Sequence, residues 1–164
     1  IVFLDHMHGR LSRHGLIDLA VKAKGDLHID QHHTVEDVGI VIGQALKQSL
    51  GDRRGIQRYG YAFAPLDEAL ARVVVDCSGR PFLHYEVQMP EAVIGRDFST
   101  TLVEEFWRSL AMNAGLTMHI DLLRARNAHH AAEAIFKAGA LAIPQAVSPF
   151  GGPDLRPSTK GVAA

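Results

Sequence analysis

Two stretches with the same pattern, His32-His33-Thr34-Val35-Glu36 and His129-His130-Ala131-Ala132-Glu133, decide the fold of this chain. On a helix of about 3.6 residues per turn, the glutamate lies about one turn beyond the histidines, while the adjacent histidines diverge by about 100°. A single copy is compatible with an ordinary polar helix end. Repetition in a chain with ten histidines favours metal binding. Two such helices facing each other would form a pseudo-twofold dinuclear metal centre.

The composition is typical of one globular domain and does not indicate a macromolecular partner. The chain has 164 residues, of which 47% are hydrophobic and 21% charged, and its net charge of -1 gives no reason to expect nucleic acid binding. Cys77 is the single cysteine, so no internal disulfide can form, which fits a reducing cytoplasm. The sequence contains no membrane-length apolar stretch and no visible signal peptide. Because it begins at Ile1 without a methionine, we expect an upstream part to be missing.

Hydrophobic periodicity predicts an alternation of helices and strands. The predicted helices cover residues 5–14, 33–50, 101–113 and 129–146, and the predicted strands cover 16–24, 58–64, 69–76, 82–87 and 116–123. We expect Gly15 to stop the first helix, residues 27–30 to be extended, and Pro144 to end the regular part of the last helix. The order helix, strand, connection, histidine-bearing helix then occurs twice, which indicates an internal repeat.

The repeat predicts how the single domain 1–164 is divided. The divisions are a first half 1–56, connecting strands 57–97, a second half 98–147 and a carboxy-terminal tail 148–164. The tail is rich in proline, glycine and serine, a composition typical of an irregular terminus.

Two further histidines, His6 and His119, fall where the duplication would bring them near the centre. With the two repeats they give six imidazoles and two carboxylates, enough for two ions with open positions. Ligand type leaves zinc, cobalt, nickel, iron and manganese open. The other four histidines are expected to be surface or satisfied structural residues, namely His8, His14, His28 and His84.

Basic residues from separate segments indicate a phosphate site. Arg58, Arg80, Lys137 and Lys160 offer the guanidinium forks and ammonium charges that a phosphate monoester needs. Each one taken alone is compatible with a solvated surface charge.

Seven motifs, in order along the chain, carry a resemblance to a known family. They are Phe-Leu-Asp-His-Met at 3–7, His-His-Thr-Val-Glu-Asp at 32–37, Gly-Asp-Arg-Arg-Gly-Ile at 51–56, Ser-Gly-Arg-Pro at 78–81, Arg-Asn-Ala-His-His at 126–130, Glu-Ala-Ile-Phe-Lys at 133–137 and Ser-Thr-Lys-Gly at 158–161. Together they resemble the imidazoleglycerol-phosphate dehydratase family of histidine biosynthesis. The resemblance covers essentially the whole chain.

The resemblance implies a fold, an assembly and a reaction. The fold is α+β, a duplicated half-domain (ribosomal protein S5 domain 2-like) with layered sheets and paired helices. Subunits would form trimers that build a 24-subunit particle with active sites at subunit interfaces. The implied enzyme is a cytoplasmic hydro-lyase with two Mn(II) ions per site. It would dehydrate D-erythro-imidazole glycerol phosphate to imidazole acetol phosphate through a metal-bound imidazolate.

The resemblance also implies roles for individual residues. The metal ligands would be His6, His32, His33, Glu36, His119, His129, His130 and Glu133, and phosphate would contact Arg58, Arg80, Lys137, Ser158 and Lys160. Arg10 stands where the family has a glutamine that reaches toward phosphate, so it becomes a candidate anion ligand. Glu36 and Glu133 are the candidates for proton handling. The family also has a further segment before Phe3, carrying a glutamate thought to act as acid or base.

Two other functions compete with the lyase. One is a non-catalytic or truncated metal-binding assembly module of the same family, which the absence of the upstream segment would favour. The other is a dinuclear metal phosphoesterase, which metals and basic residues also allow. The phosphate residues count against a pure metal store, and the phosphoesterase lacks the resemblance.

Overall fold

The computed structural model describes residues 1–152 and Leu155, and it has the α+β composition that the sequence predicts. In chain order the elements are α1 (Val2–Gly15), α2 (His32–Leu50), β1 (Tyr59–Leu66), β2 (Ala69–Asp76), β3 (Phe82–Glu86), β4 (Val93–Ile94), β5 (Phe98–Ser99), α3 (Thr101–Ala114), β6 (Thr117–Arg124) and α4 (Ala128–Val147). Among them are the four predicted helices and four of the five predicted strands. The two-residue strands β4 and β5 were not predicted.

Four strands form one sheet in the order β1-β2-β6-β3. The pairs β1/β2 and β2/β6 are antiparallel, and β3 runs parallel to β6. Strand β2 alternates as a half-buried strand should, with Ala71, Val73 and Val75 completely buried and Val74 exposed. One face of the sheet therefore belongs to the core, and the other carries exposed aromatic side chains such as Tyr61 and Phe63.

Helix α4 runs along the inner face of the sheet, and hydrogen bonds hold each end of the helix to one end of the β1–β2 hairpin. Near its start, the Arg126 N–H donates to the Glu68 carboxylate in the β1–β2 turn at 3.1 Å. In its last turn, the Ala146 carbonyl accepts the Arg58 N–H at 2.8 Å, just before β1 begins. The amino-terminal end of α4 thus lies at the β1–β2 turn, and its carboxy-terminal end lies at the opposite end of that hairpin.

The helices also form two pairs, α1 with α4 and α2 with α3. Leu4, Met7 and Leu11 make the buried face of α1. Helices α2 and α3 approach closely because Gly39 and Gly43 have no side chains: a Cβ on Gly43 would lie 2.6 Å from the Leu110 carbonyl oxygen. None of the helices in the described part of the chain is both long enough and apolar enough to cross a membrane.

The predicted strand over residues 16–24 is wrong. Residues 17–26 are irregular, and no strand in the described ranges pairs with them. Alternating side chains can indicate a strand, but a ladder also needs a neighbouring backbone, which the local pattern does not supply. The segment instead lies over α2, and the two help to line a partly open apolar pocket of about 690 Å³. The first half therefore lacks the strand that the second half has in β6.

Three local predictions also need correction. Residues 27–29 form a turn rather than an extended segment, with the Ile29 N–H donating to the Asp26 carbonyl. The left-handed residue that ends α1 is Leu16, with φ 50°, and Gly15 is its last helical residue. Helix α4 continues through Pro144 to Val147. Pro144 removes one helical hydrogen bond, but the Gln145 side chain accepts the Tyr61 N–H at 2.8 Å and holds the last turn to the sheet.

Candidate metal centres

One group of ligand atoms, called here the second-repeat group, joins His6 on α1 with His129 and Glu133 on α4. The Glu133 Oε2 atom lies 3.3 Å from the Nε2 atoms of both His6 and His129. His129 and Glu133 are one helical turn apart, and the packing of α1 on α4 brings His6 to them. The three side chains therefore converge on one point although they come from the two ends of the sequence.

The other oxygen of Glu133 contacts two cations. Glu133 Oε1 lies 3.0 Å from the Lys137 Nζ and 3.3 Å from the Arg10 Nε. Burial opposes ionisation of Glu133, but its hydrogen bonds with Lys137 and His6 outweigh that effect and lower its pKa to about 2. Glu133 is thus a carboxylate at neutral pH, with one oxygen held by cations and the other directed toward imidazoles.

A first-repeat group consists of His32 and Glu36 on α2 and Glu105 on α3. The His32 Nε2 lies 3.8 Å from the Glu36 Oε2. Glu105 reaches this position because α2 packs against α3, and the Ser109 hydroxyl donates to its carboxylate at 3.5 Å. This group is more exposed than the second-repeat group.

The second histidine of each repeat points away from the first. The His32 and His33 rings are inclined at 85°, and the His129 and His130 rings at 88°, with centroids 6.2 Å apart in both pairs. Each of these outer histidines meets a carboxylate, His33 at Asp26 and His130 at Glu68. The contact with His130 lowers the pKa of Glu68 to about 2 and raises that of His130.

The second-repeat group has the donor chemistry and spacing that a divalent metal requires. With metal–ligand distances near 2.1 Å, neighbouring ligand atoms around a tetrahedral ion lie about 3.4 Å apart. The separations of 3.3 Å between Glu133 Oε2 and the two imidazole nitrogens agree with that spacing. Imidazole nitrogen combined with carboxylate oxygen suits zinc, iron and manganese alike, so the donor set does not distinguish these ions.

His119 belongs to neither group. It is exposed on the outer face of the sheet, where its ring centroid lies 5.4 Å from that of His84 and 6.0 Å from that of Phe82. Four histidines were expected to be exposed or to have their hydrogen bonds satisfied inside the protein. One of them, His84, lies beside the candidate ligand His119. His8 is buried, and its Nε2 has no hydrogen-bond partner among the described residues.

The predicted phosphate residues are divided between two regions of the chain. Lys137 and Arg10 lie at the second-repeat group. Arg58 binds Asp76 through two hydrogen bonds of 2.6 and 3.0 Å, and Arg80 is exposed in the turn before β3. Ser158 and Lys160 lie outside the described residues.

Arg58 and the second-repeat group lie at opposite ends of α4. The Arg58 N–H is bonded to the Ala146 carbonyl. Ala146 follows His129 by seventeen residues, so the two positions are about 26 Å apart along a helix that rises about 1.5 Å per residue. A phosphate monoester cannot span that distance. Glu133, thirteen residues before Ala146, is about 20 Å from it by the same measure, so Arg58 and the second-repeat group lie at separate positions along the helix.

A family model described as imidazoleglycerol-phosphate dehydratase matches residues 1–143 of this sequence. The chain belongs to the imidazoleglycerol-phosphate dehydratase family. The family predicted from the seven motifs is thereby confirmed.

Named relatives of this imidazoleglycerol-phosphate dehydratase family member agree with the assignment. The imidazoleglycerol-phosphate dehydratase of Nitrosococcus oceani is 62% identical over 145 residues, which cover 88% of this chain and 73% of the relative. The enzyme of the same name from Thioalkalivibrio sulfidiphilus is 57% identical over 162 residues, covering 97% of this chain and 81% of the relative.

Solved structures of the family confirm the α+β fold class. The crystal structure of imidazoleglycerol-phosphate dehydratase from Staphylococcus aureus subsp. aureus N315 is similar with a TM-score of 0.85 and 46% identity, covering 91% of this chain and 84% of that one. The Pyrococcus furiosus protein, crystallised in complex with (S)-C348, has a TM-score of 0.86 and 35% identity, covering 98% of this chain and 86% of that one.

The sequence did not predict that three carboxylates of this dehydratase family member lie beside the candidate metal ligands. Glu105 joins the first-repeat group, and Asp26 and Glu68 contact the outer histidines. Each lies far from its partner in sequence or in a separate element, so helical spacing cannot reveal the contact. The position of Asp67-Glu68 in a turn between two strands is the one local signal for Glu68, and it equally fits an ordinary polar turn.

Proposed function

We propose that this chain dehydrates D-erythro-imidazole glycerol phosphate to imidazole acetol phosphate in L-histidine biosynthesis. The observation that carries the proposal is the family match over residues 1–143, which includes every ligand of the second-repeat group. The relatives described above are named as dehydratases, which favours this hydro-lyase over a phosphoesterase or a non-catalytic module.

The cofactor proposed is two Mn(II) ions per active site. Candidate ligands are His6, His32, His33, Glu36, His119, His129, His130 and Glu133. Bound ions would supply Lewis-acid stabilisation for the negative charge that develops when a proton leaves carbon. The donor groups support a divalent metal, and manganese in particular follows from the family resemblance.

Proton transfer is proposed for Glu36 rather than for Glu133. Both oxygens of Glu133 have partners, and its pKa of about 2 makes it a weak base. Glu36 is only partly buried, and its contact with His32 is long at 3.8 Å. We therefore assign Glu133 to metal ligation alone, and we propose that Glu36, which is also a candidate ligand, moves a proton to or from the substrate.

Substrate phosphate is proposed to bind Arg80, Arg58, Lys137, Ser158 and Lys160, with residues from more than one chain at each site. The separation of about 20–26 Å along α4 between Ala146, which accepts the Arg58 N–H, and the residues Glu133 and His129 supports a site at a subunit interface. Trimers that assemble into a 24-subunit particle would provide such interfaces. Arg10 is proposed to hold Glu133 in place, because its Nε atom lies 3.3 Å from Glu133 Oε1.

We also propose that the domain is divided into halves 1–56 and 98–147. A cytoplasmic location completes the proposal. Helices α2 and α4 carry equivalent His-His-x-x-Glu motifs with the same ring geometry, which supports a duplication. The single cysteine, Cys77, is buried, as expected for a protein of a reducing compartment.

A product assay on the Mn(II)-loaded chain tests the function. We expect formation of imidazole acetol phosphate, and loss of product together with a lower content of bound metal in His129→Ala. His28→Ala, which changes an exposed histidine outside both groups, is the matched control and should retain product and metal.

Each alternative function has its own outcome in that assay. Release of inorganic phosphate without imidazole acetol phosphate would identify a phosphoesterase. Bound metal without either product would identify a non-catalytic metal-binding module.

A further inference from the structure

The outer histidine of each repeat is held through the same ring nitrogen by a carboxylate from another segment. The His33 Nδ1 lies 2.9 Å from the Asp26 Oδ2, and the His130 Nδ1 lies 2.8 Å from the Glu68 Oε2. An ionised carboxylate only accepts hydrogen bonds, so the hydrogen in each contact must be on Nδ1. In the neutral ring, Nε2 then has a free lone pair.

The carboxylate of Glu68 is itself fixed in position. Its Oε1 accepts the Arg126 N–H at 3.1 Å, while its Oε2 is directed at His130. The Asn127 side chain accepts the His130 N–H at 3.0 Å and orients the first turn of α4. The neighbouring Asp67 Oδ2 is 3.9 Å from the His130 Nε2, which is too far for a hydrogen bond.

Asp26 occupies the corresponding place before α2. It begins the turn in which its carbonyl accepts the Ile29 N–H at 2.8 Å, and its side chain reaches forward to His33. The two carboxylates come from unlike segments, one from the loop before a helix and one from a turn between strands. The contact between a carboxylate and the histidine Nδ1 therefore occurs in both repeats, although the carboxylates come from different parts of the chain.

We propose that Asp26 and Glu68 are positioning residues that hold His33 and His130 as Nδ1-protonated tautomers and so direct each Nε2 toward a metal ion. This inference rests on the proposed role of both histidines as metal ligands. Without such a partner either ring nitrogen can carry the hydrogen, and the ring can rotate. A carboxylate on the far nitrogen fixes the ring and makes Nε2 a more basic ligand.

Isothermal titration calorimetry of the metal-free chain with Mn(II) tests the proposal without any measurement of activity. Glu68→Gln and Asp26→Asn should each raise the dissociation constant of a Mn(II) ion by about 10–100-fold, the usual effect of losing such a partner. Asp52→Asn is the control, because it removes an exposed carboxylate beyond the carboxy-terminal end of α2, whereas His33 lies at the amino-terminal end of that helix. It should bind Mn(II) as the unsubstituted chain does.

Nuclear magnetic resonance of the histidine ring nitrogens in the metal-free chain gives a second measurement. We expect hydrogen on Nδ1 of His33 and His130, and its redistribution between the two nitrogens in Asp26→Asn and Glu68→Gln respectively. At a pH where both rings are neutral, hydrogen on Nε2 in place of Nδ1 in the unsubstituted chain would overturn the proposal.

Two further variants separate this inference from the proposed ligands. If His33→Ala and His130→Ala weaken Mn(II) binding but Asp26→Asn and Glu68→Gln do not, the positioning role is wrong and the ligand assignment stands. If the two alanine variants bind Mn(II) normally, the ligand assignment is wrong and the positioning role fails with it. The dehydratase activity is decided separately, by the product assay.

Discussion

Glu133 shows how a single carboxylate can serve two kinds of neighbour. Its Oε1 contacts Lys137 and Arg10, and its Oε2 faces the imidazoles of His6 and His129. The cations offset the cost of burying the charge, so the carboxylate stays ionised in a place where burial alone would favour the neutral acid. A buried anion with one oxygen left for imidazoles is a suitable partner for a divalent ion.

His8, two residues from His6, is buried without such compensation. Burial lowers its pKa from 6.5 to about 4, and its ring packs against Phe106 with the centroids 5.5 Å apart. The folded chain therefore keeps His8 neutral at pH values where the unfolded chain binds a proton. Its contribution to stability is present above pH 6.5 and is lost as the pH falls from 6.5 toward 4.

This difference predicts the acid sensitivity of the fold. Between pH 6.5 and 4, His8 should remove about 3 kcal/mol from the free energy of unfolding, and His8→Leu should abolish that part of the loss. Urea unfolding of the metal-free chain across this range measures it. His28→Leu, a change at an exposed histidine, should keep the acid slope of the unsubstituted chain. An unchanged slope in His8→Leu would contradict the prediction.

At the scale of elements, the contact between α2 and α3 depends on a missing side chain. A Cβ at Gly43 would lie 2.6 Å from the Leu110 carbonyl oxygen and 2.9 Å from the Asn113 Cβ. Backbone atoms cannot turn aside as a flexible side chain can, so the helices would have to separate. Their separation would also move Glu105 away from Glu36, since these residues belong to the two helices.

Two glycine-to-alanine substitutions should therefore have opposite effects on the free energy of unfolding. Gly43→Ala should lower it by about 1–3 kcal/mol through overpacking. Gly9→Ala lies in α1 with nothing within 4 Å of the added Cβ, and it should raise the free energy by about 0.5–1 kcal/mol. Urea denaturation of both variants measures the difference, and equal stability of the two would show that the helix contact tolerates a methyl group.

At the scale of the whole molecule, the fold separates two sets of residues that are proposed above to contact one substrate. Helix α4 places its histidines at one end of the β1–β2 hairpin and Arg58 at the other. Arg80, in the turn before β3, lies at the end of the sheet where β1 begins and β2 ends. The proposed site therefore requires residues from a second copy of the chain.

Mixing two inactive variants tests this requirement. Arg80→Ala and His130→Ala should each be inactive alone, and co-assembly in equal amounts should restore activity at about a quarter of the sites if two chains share each site. The matched control mixes His129→Ala with Glu133→Gln, two variants of the same second-repeat group, and should stay inactive. Absence of recovery in the first mixture, with mixed oligomers verified by mass spectrometry, would place both groups in one chain's site.

The sequence by itself determined the parts of this protein that depend on neighbours along the chain. Periodicity located four helices and the strands β1, β2, β3 and β6, because one turn or one pleat is enough to define which face is buried. The His-His-x-x-Glu spacing predicted diverging histidines, and in the second repeat the two rings meet different carboxylates, His129 at Glu133 and His130 at Glu68. The seven motifs identified the family.

Only the tertiary structure decided what depends on contacts between distant segments. The segment 17–26 has a strand-like pattern but no pairing partner in the described part of the chain, so it stays irregular. Packing of α1 on α4 brings Arg10 to Glu133, and the β1–β2 turn brings Glu68 to His130. Local periodicity carries no information about these pairings, because burial and hydrogen bonding join residues that lie more than sixty positions apart.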